Sequence, residues 1–300
     1  MNILILGGGY IGNHLFNKLK GSHSITQITQ KDVDYTYTNL HNSSTDFKSY
    51  LHDSMVGAYP RFDVAVNCSG YTGKPNVDAC EDEKWKCWEY NVTAPVRTAE
   101  TLNLFRIPVI HISSGCIYEG DEFFTEDHMP NFGLYTDHSS FYSKSKHAGE
   151  LALKNMDGFV LRLRMPFCST HGHKNILNKY LKYENIVSYP NSLTCVYDLC
   201  KAIEHFCVHR STLPQGIYNI VNNGSITGAQ VIDMLKRGGM SNRNWKVVPI
   251  EELDIKAGRS NCTLSGSKLK TKGRFTMPDV RDSLRSCIFR LNERNTDAGV

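Results

Sequence analysis

The chain has 300 residues, 40% hydrophobic and 21% charged, enough apolar material for one large domain or a domain with a smaller lobe, which excludes wholesale disorder. Thirty-four basic and 30 acidic residues leave a net charge of +4 with no block of either sign, so no nucleic-acid partner is expected, while a phosphorylated small ligand fits. No stretch approaches the roughly 18 apolar residues of a membrane span, and ten cysteines without Cys-x-x-Cys or zinc-finger histidine spacing argue for buried thiols in a reducing compartment, with no metal site.

At the amino terminus, Asn2-Ile3-Leu4-Ile5-Leu6 reads as a short buried strand. No basic region precedes it and it runs straight into glycines, so no signal peptide is expected and the expected location is the cytoplasm. Ile11, Leu15, Phe16 and Leu19 stand at helical spacing and predict a helix over 11–20. A second strand fits 24–28 and a third Asp63-Val64-Ala65-Val66-Asn67. A helix is predicted over 87–104, a strand over 108–113, a helix over 139–155 and a strand over 159–163. This alternation predicts an α/β fold, a Rossmann-type doubly wound parallel sheet covered by helices on both faces. After Pro166 the pattern is irregular, with helices expected near 174–183, 196–209 and 228–237 and strands at 217–221 and 245–249. The last residues, 294–300, are polar and expected to fray.

Gly7-Gly8-Gly9-Tyr10-Ile11-Gly12 is a G-x-G-x-x-G match between a predicted strand and a predicted helix, the context in which that motif binds a dinucleotide. Gly7 permits the tight turn, Gly9 lets a pyrophosphate approach the backbone, and Gly12 allows close helix–strand packing. Tyr10 and Ile11 join the cofactor-binding set because a helix N-terminus offers N–H groups and positive potential to phosphates. Residues 1–165 are therefore expected to form a dinucleotide-binding domain. Residues 166–300 would form a smaller substrate-binding lobe, of which 196–221 could rejoin the main sheet. The second strand ends Ile25-Thr26-Gln27-Ile28-Thr29-Gln30-Lys31, and Asp32 falls late for the acid that binds both ribose hydroxyls in NAD-selective sites. The missing acid and the lysine favour NADPH, with NADH as the alternative.

Tyr142 and Lys146 stand four residues apart, on one face of a predicted helix. An ammonium beside a phenol, whose ordinary pKa is about 10, favours the ionised form and helps it exchange a proton with a carbonyl oxygen. The bare Tyr-x-x-x-Lys pattern is common on solvated helix faces. Its weight comes from His111-Ile112-Ser113-Ser114-Gly115-Cys116-Ile117-Tyr118, which puts hydroxyls at the carboxyl end of a predicted strand, where open α/β sheets bind ligands.

Together with Asn67-Cys68-Ser69-Gly70 and Asn91, these motifs resemble the extended short-chain dehydrogenase/reductases, which act on nucleotide sugars. The resemblance covers nearly the whole chain. More specific segments are Tyr71-Thr72-Gly73-Lys74-Pro75-Asn76-Val77-Asp78, Gly115-Cys116-Ile117, Ser140-Phe141-Tyr142-Ser143-Lys144, Leu161-Arg162-Leu163-Arg164-Met165-Pro166 and Pro190-Asn191-Ser192-Leu193-Thr194. They look like the plant and giant-virus nucleotide-rhamnose synthase/epimerase-reductases, which convert UDP-4-keto-6-deoxyglucose to UDP-L-rhamnose. The glycine loop departs from the pattern: it is one residue shorter than the G-x-x-G-x-x-G common in extended members.

The resemblance implies Ser114, Tyr142 and Lys146 as a reductive triad. Tyr142 would protonate the C4 oxygen, Ser114 would hold that oxygen, and Lys146 would bind the nicotinamide ribose and tune the tyrosine. It also implies Asn67, Ser69, Gly70 and Asn91 on the cofactor. Inverting C3 and C5 requires two further acid/base groups flanking the ring. Thiols suit proton transfer near neutral pH, and related fucose-forming epimerase-reductases carry a cysteine in the same Ser-x-Cys-Ile-Tyr setting, so Cys116 is one candidate. On the opposite face, Lys174-Asn175-Ile176-Leu177-Asn178-Lys179 aligns with the family segment whose catalytic lysine falls on Lys179. His171 and His173 are chemical rivals. Thr72, Gly73, Lys74, Asn76 and Asp78 are candidates for the sugar and uracil. Arg259-Ser260-Asn261 resembles a nucleotide-sugar contact segment, with Arg259 suited to a bidentate grip on the diphosphate and Asn261 beside it.

The leading expectation is a bifunctional 3,5-epimerase/4-reductase. One alternative is a dTDP-4-dehydrorhamnose-type 4-reductase alone. Another is a non-catalytic dinucleotide-binding regulatory subunit, against which the complete Ser114/Tyr142/Lys146 set argues. One dinucleotide unit in the chain implies that a separate 4,6-dehydratase supplies the keto sugar. UDP against dTDP, and monomer against homodimer, stay open at this point.

Overall fold

Ile3, Leu4, Ile5 and Leu6 are all completely buried, the mark of a strand covered on both faces. They lie at the centre of the sheet in a computed structural model that describes residues 1–29, 31–32, 47–57, 61–241 and 243–297. The first half of the chain runs β1 (Asn2–Leu6), α1 (Tyr10–Leu19), β2 (Ser24–Ile28), α2 (Phe47–Met55), β3 (Val64–Asn67), α3 (Ala79–Asp82) and α4 (Lys84–Trp88). A π-helical turn (Glu89–Thr93) leads into α5 (Ala94–Leu104), followed by β4 (Val109–Ser114), β5 (Gly120–Phe124), α6 (Phe141–Leu153) and β6 (Gly158–Leu163). The second half runs β7 (Pro166–Phe167), α7 (Ile176–Lys182), β8 (Asn185–Ile186), β9 (Thr194–Cys195), α8 (Val196–His209) and β10 (Gly216–Asn219). It ends with α9 (Gly228–Arg237), β11 (Lys246–Val247), β12 (Cys262–Leu264), α10 (Ser267–Thr271) and α11 (Val280–Asp297).

Six strands pair in the order β10-β6-β4-β3-β1-β2, every neighbour parallel. The sequence order reverses between β1 and β3, so the carboxyl ends of those two strands flank the crevice where open α/β sheets bind ligands. Alternation along each strand sends side chains to opposite faces. Ile3, Ile5, Val64 and Val66 meet Leu15 and Leu19 of α1 and Leu199, Ile203 and Phe206 of α8. Leu4, Leu6 and Ala65 meet Phe47 and Leu51 of α2 and Ala99 and Leu102 of α5. A separate apolar cluster gathers Phe167, Leu177, Val231, Leu235, Leu284, Ile288 and Leu291 from the chain after residue 165. The chain after residue 165 also returns to the main sheet, where β10 lies against β6 and α8 packs on α1.

Three expectations change. The helix predicted over 87–104 is broken by the π turn, because residues 89–93 close i→i+5 hydrogen bonds. The tail expected to fray from 294 is instead helical to Asp297, and Arg294 Nη1 donates to the Ser169 carbonyl at 2.9 Å. The β5–β12 pair and the helices α2, α3, α10 and α11 were not anticipated. Gln30 at the second strand's end and residues 298–300 lie outside the described residues. Among the described residues, no helix is long and apolar enough to cross a membrane.

Candidate active site

At the end of β1 the chain turns sharply. Gly7 has φ +105°, which only glycine adopts freely, and its N–H donates to Ile28 O at 2.8 Å. A Cβ on Gly12 would collide with the Gly7 carbonyl, so α1 can start this close to the strand only with glycine there. Gly9 caps α1 without a side-chain hydrogen bond, and nothing lies within 4 Å of where its Cβ would be. This open cradle at a helix N-terminus fits a dinucleotide pyrophosphate. At the end of β2, Thr29 N and Oγ1 both donate to Asp32 Oδ2, at 2.8 and 2.7 Å. Those bonds hold the Asp32 carboxyl below its usual range.

After β3, Asn67 is buried, and its Oδ1 accepts from Ser69 N and Ser69 Oγ at 3.0 and 2.5 Å. Asn91, presented by the π turn, grips the backbone of the next residues in both directions. Its Oδ1 accepts from Tyr71 N at 2.9 Å and its Nδ2 donates to Tyr71 O at 2.8 Å. A Cβ on Gly70 would lie 3.2 Å from Lys146 Nζ, so the lysine ammonium sits directly against this loop.

Tyr142, Lys146 and Glu150 repeat every four residues along α6 and are all buried. The helix begins where it does because Ser140 Oγ accepts from Ser143 N, while Glu81 Oε1 accepts from Phe141 N. Beneath it, Glu150 accepts from Ser113 Oγ at 2.6 Å and from Arg162 Nε at 2.9 Å, and Arg162 Nη1 donates to Tyr118 OH at 2.9 Å. Burial lowers the Lys146 ammonium to about 8, against an upward pull from Glu150. Burial pushes the Tyr142 phenol well above its ordinary value, Cys116 adds to the rise, and a hydrogen bond with Ser114 opposes it. The expectation that the lysine ionises this phenol is therefore reversed by burial. A phenol that keeps its proton is the form a proton donor needs.

Facing α6 across the cleft are Cys116, from the loop after β4, and Lys179, from α7. Cys116, half-buried after β4, accepts a hydrogen bond on Sγ from Arg164 Nη1 at 3.0 Å, and its N–H donates to Ser114 Oγ at 3.2 Å. Lys179 belongs to α7, whose start is capped by Asn175 Oδ1 accepting from Leu177 N. Burial lowers the Lys179 ammonium, Arg259 lowers it further, and Cys116 raises it. Of the two rival histidines, His173 lines the cleft, whereas His171 Nδ1 is 2.9 Å from Asn178 Nδ2 and does not.

The cleft has a volume of about 490 Å³. It brings together Gly7, Gly9, Tyr10, Ile11, Ser69 and Gly70 with Ser114, Tyr142 and Lys146, and adds Cys116, Lys179, Thr72, Gly73 and Asn76. Gly12, Asn67 and Asn91 do not line it, and neither do Lys74, Asp78, Arg259 and Asn261. Arg259 donates to both Asp78 oxygens, at 2.9 and 3.0 Å. Burial would raise the Asp78 carboxyl, but Arg259 and the Ala257 N–H hold it low. The fork expected for a diphosphate thus ties the Thr72–Asp78 loop to the carboxy-terminal segment, and Asn261 Oδ1 accepts from Asn191 Nδ2. Lys174 and Met165 also line the cleft, and neither was singled out from sequence. Lys174 Nζ donates to Thr72 Oγ1 at 3.1 Å, joining the segment before α7 to the loop after β3. Met165 holds φ +39°, a strained value for a side-chain-bearing residue and a frequent mark of functional positions.

Residues 1–293 match the family described as the RmlD substrate binding domain. The chain belongs to that family. It is a family of nucleotide-sugar 4-keto reductases. A bifunctional dTDP-4-dehydrorhamnose 3,5-epimerase/dTDP-4-dehydrorhamnose reductase of Arabidopsis thaliana is 32% identical, covering 98% of this chain and 94% of its own. A trifunctional UDP-glucose 4,6-dehydratase/3,5-epimerase/reductase of the same plant is 32% identical over 76% of this chain, which spans 35% of that longer protein. Two solved structures share the fold. UDP-rhamnose synthase L780 of Acanthamoeba polyphaga mimivirus has a TM-score of 0.78 at 22% identity, covering 97% of this chain and 99% of its own. A dTDP-4-dehydrorhamnose reductase of Clostridium acetobutylicum has a TM-score of 0.81 at 19% identity, covering 97% and 100%.

Proposed function

We propose that this family member is a bifunctional 3,5-epimerase/4-reductase that converts UDP-4-keto-6-deoxy-D-glucose to UDP-L-rhamnose. The observation that carries this reading is the meeting of Ser114, Tyr142 and Lys146 with Cys116 and Lys179 in a single cleft. A 4-reductase alone has no use for the second pair. The glycine loop and the start of α1 would hold the pyrophosphate of NADPH, and Lys146, against the Gly70 loop, would hold the nicotinamide ribose. When bound, NADPH supplies the hydride for C4. The engaged Asp32 carboxylate and the adjacent Lys31 support NADPH over NADH.

Tyr142 donates its proton to the C4 oxygen, and Ser114 holds that oxygen with its hydroxyl. Before reduction the same two donors stabilise the enolate formed when a proton leaves C3 or C5. Cys116 and Lys179 carry protons on the two sides of the ring, and the family relatives that couple epimerase to reductase in one name support that assignment. Burial lowers the Lys179 ammonium, which makes a neutral amine easier to reach for a base. The names of the trifunctional relatives favour UDP and a 4,6-dehydratase as the upstream step.

The test is incubation with NADPH and UDP-4-keto-6-deoxyglucose in deuterated water, with product identification by NMR. UDP-L-rhamnose deuterated at C3 and C5 is expected. An unepimerised 6-deoxyhexose, or no NADPH oxidation, overturns the reading.

A further inference from the structure

Two arginines around the cleft have carboxylate partners. Arg162 pairs with Glu150 and Arg259 with Asp78. Arg164, just past the end of β6 and 1% exposed, has none among the described residues. Its Nη2 donates to Asn191 Oδ1 and to the Ser260 carbonyl, both at 2.5 Å. Its Nη1 donates to Cys116 Sγ at 3.0 Å, and its buried Nε has no hydrogen-bond partner among the described residues. A guanidinium does not give up its proton in a protein. Burying one without a counter-charge is costly, and such a cation is retained where an anion forms beside it.

Three groups that could become that anion face Arg164: the thiols of Cys116 and Cys262 and the phenol of Tyr180. Cys262 is fully buried with its thiol directed at the Gly115 carbonyl, and burial raises the Tyr180 phenol to about 12. Cys116 alone of the three lines the cleft. Tyr142 and Lys146 of α6, Lys179 of α7 and Cys262 of β12 also face Cys116. Arg164 is the cation that touches its sulfur.

We propose that Arg164 is a positioning residue for the epimerising half-reaction, fixing the Cys116 sulfur and stabilising the negative charge it bears while its proton is on the sugar. This rests on the reading of Cys116 as an acid/base. In the donating step the S–H bond breaks and a C–H bond forms at the ring carbon, the enolate electron pair becoming that bond. The sulfur keeps the S–H pair as thiolate against Arg164. In the reverse sense the thiolate takes the ring proton and the electron pair returns to the enolate.

The experiment uses the full chain with Arg164→Met, Arg164→Gln, Arg164→Lys and Cys116→Ser. Three rates are measured: deuterium exchange at C3 and C5 of UDP-4-keto-6-deoxyglucose, NADPH-dependent reduction of pre-epimerised UDP-4-keto-L-rhamnose, and iodoacetamide alkylation of Cys116, followed by peptide mass spectrometry at pH 7. Alkylation reads the thiolate directly. Arg164→Met should lower exchange about 100-fold, within the range of a general acid/base, and Cys116 alkylation about tenfold, with reduction kept within about threefold. Arg164→Gln, which removes the charge but keeps a donor, should do the same and carries the comparison if the methionine variant does not fold. Arg164→Lys should recover part of both losses.

Unchanged alkylation in the neutral variants overturns the proposal, as does a parallel fall of all three rates, which would mean a structural role only. If Cys116→Ser exchanges at the wild-type rate, the reading beneath it is wrong and the proposal falls with it. If Cys116→Ser has lost exchange while the neutral Arg164 variants have not, the proposal alone falls.

Discussion

Along α6, Tyr142, Lys146 and Glu150 repeat at one helical spacing, and Glu150 is locked to Ser113 and Arg162 beneath them. Across the cleft, Lys179 rides on a seven-residue helix, and Cys116 stands two residues past the end of β4 and leans on Arg164 just past the end of β6. The first wall is one long element anchored at its base through Glu150. The second is assembled from short pieces that are far apart in sequence, with Arg164 bonded to Cys116, Asn191 and Ser260. On the proposed reading, reduction would depend on that block and epimerisation on the mutual placement of separate segments, so substitutions would silence the second without touching the first.

The largest effect that would sharpen this contrast is at Tyr142. Tyr142→Phe should cut reduction by about 10²–10⁴-fold and leave NADPH affinity within a few-fold by titration, since the phosphate loop is unchanged. Near-wild-type turnover would remove the triad assignment. Cys116→Ser should cut deuterium exchange at C3 or C5 by a similar factor, about 10²–10⁴-fold, while direct reduction of a pre-epimerised sugar survives.

Next in size is the block's foundation. Glu150→Gln leaves Arg162 buried without its counter-charge, and chemical denaturation should register a loss of about 3–5 kcal/mol. A loss below about 1 kcal/mol would mean that the block is not held in this way.

Lys146 tests the cost of burial in that block. Its ammonium sits at about 8 in the folded chain against the ordinary 10.5. Between those values the unfolded chain keeps a proton that the folded chain has released, so stability rises with pH across that window. Below pH 8 both states are charged and the full burial cost is present. Lys146→Met should therefore be more stable than wild type at pH 7, by no more than about 3 kcal/mol. Urea melts at pH 9.5 should show that advantage shrinking, while turnover is lost at both pH values. The smallest effect is at the helix start: Ser140→Ala should cost about 1 kcal/mol through loss of the cap, with a modest fall in reduction and none in the C3/C5 exchange ratio.

Much of the sheet was legible because its elements obey a single period. The fully buried run at 2–6 and the helical spacing through 11–20 gave β1 and α1 nearly to the residue, and α8 and α9 matched their expected bounds. α9 also carries a capping box, Thr227 with Gln230. Val280, Leu284, Cys287, Ile288 and Leu291 repeat at helical spacing too, but the arginines, serines and aspartate between them hid α11. Within the site, the loops around Gly7, Gly70 and Ser114 could be placed because strand ends announce them. The pairing of Asp78 with Arg259 joins residues 181 apart in sequence, and no local pattern encodes it. Lys179 was chosen because the family resemblance falls on it, and Lys174, which lies before α7 and lines the same cleft, carried no such signal.

The π turn at Glu89–Thr93 amounts to one residue inserted in an otherwise regular helix. Each helical residue turns the chain by about 100°, so deleting one there would let α4 and α5 run on as a single α-helix and swing all that precedes it through that angle. Asn91 would lose its aim, and the N–H and carbonyl of Tyr71 would lose their shared partner. The better-bonded helix would hold the loop beside Lys146 worse. What looks locally like an imperfection acts as a phase setting, and its disappearance would be read in the looseness of residues 70–73 rather than in the helix itself.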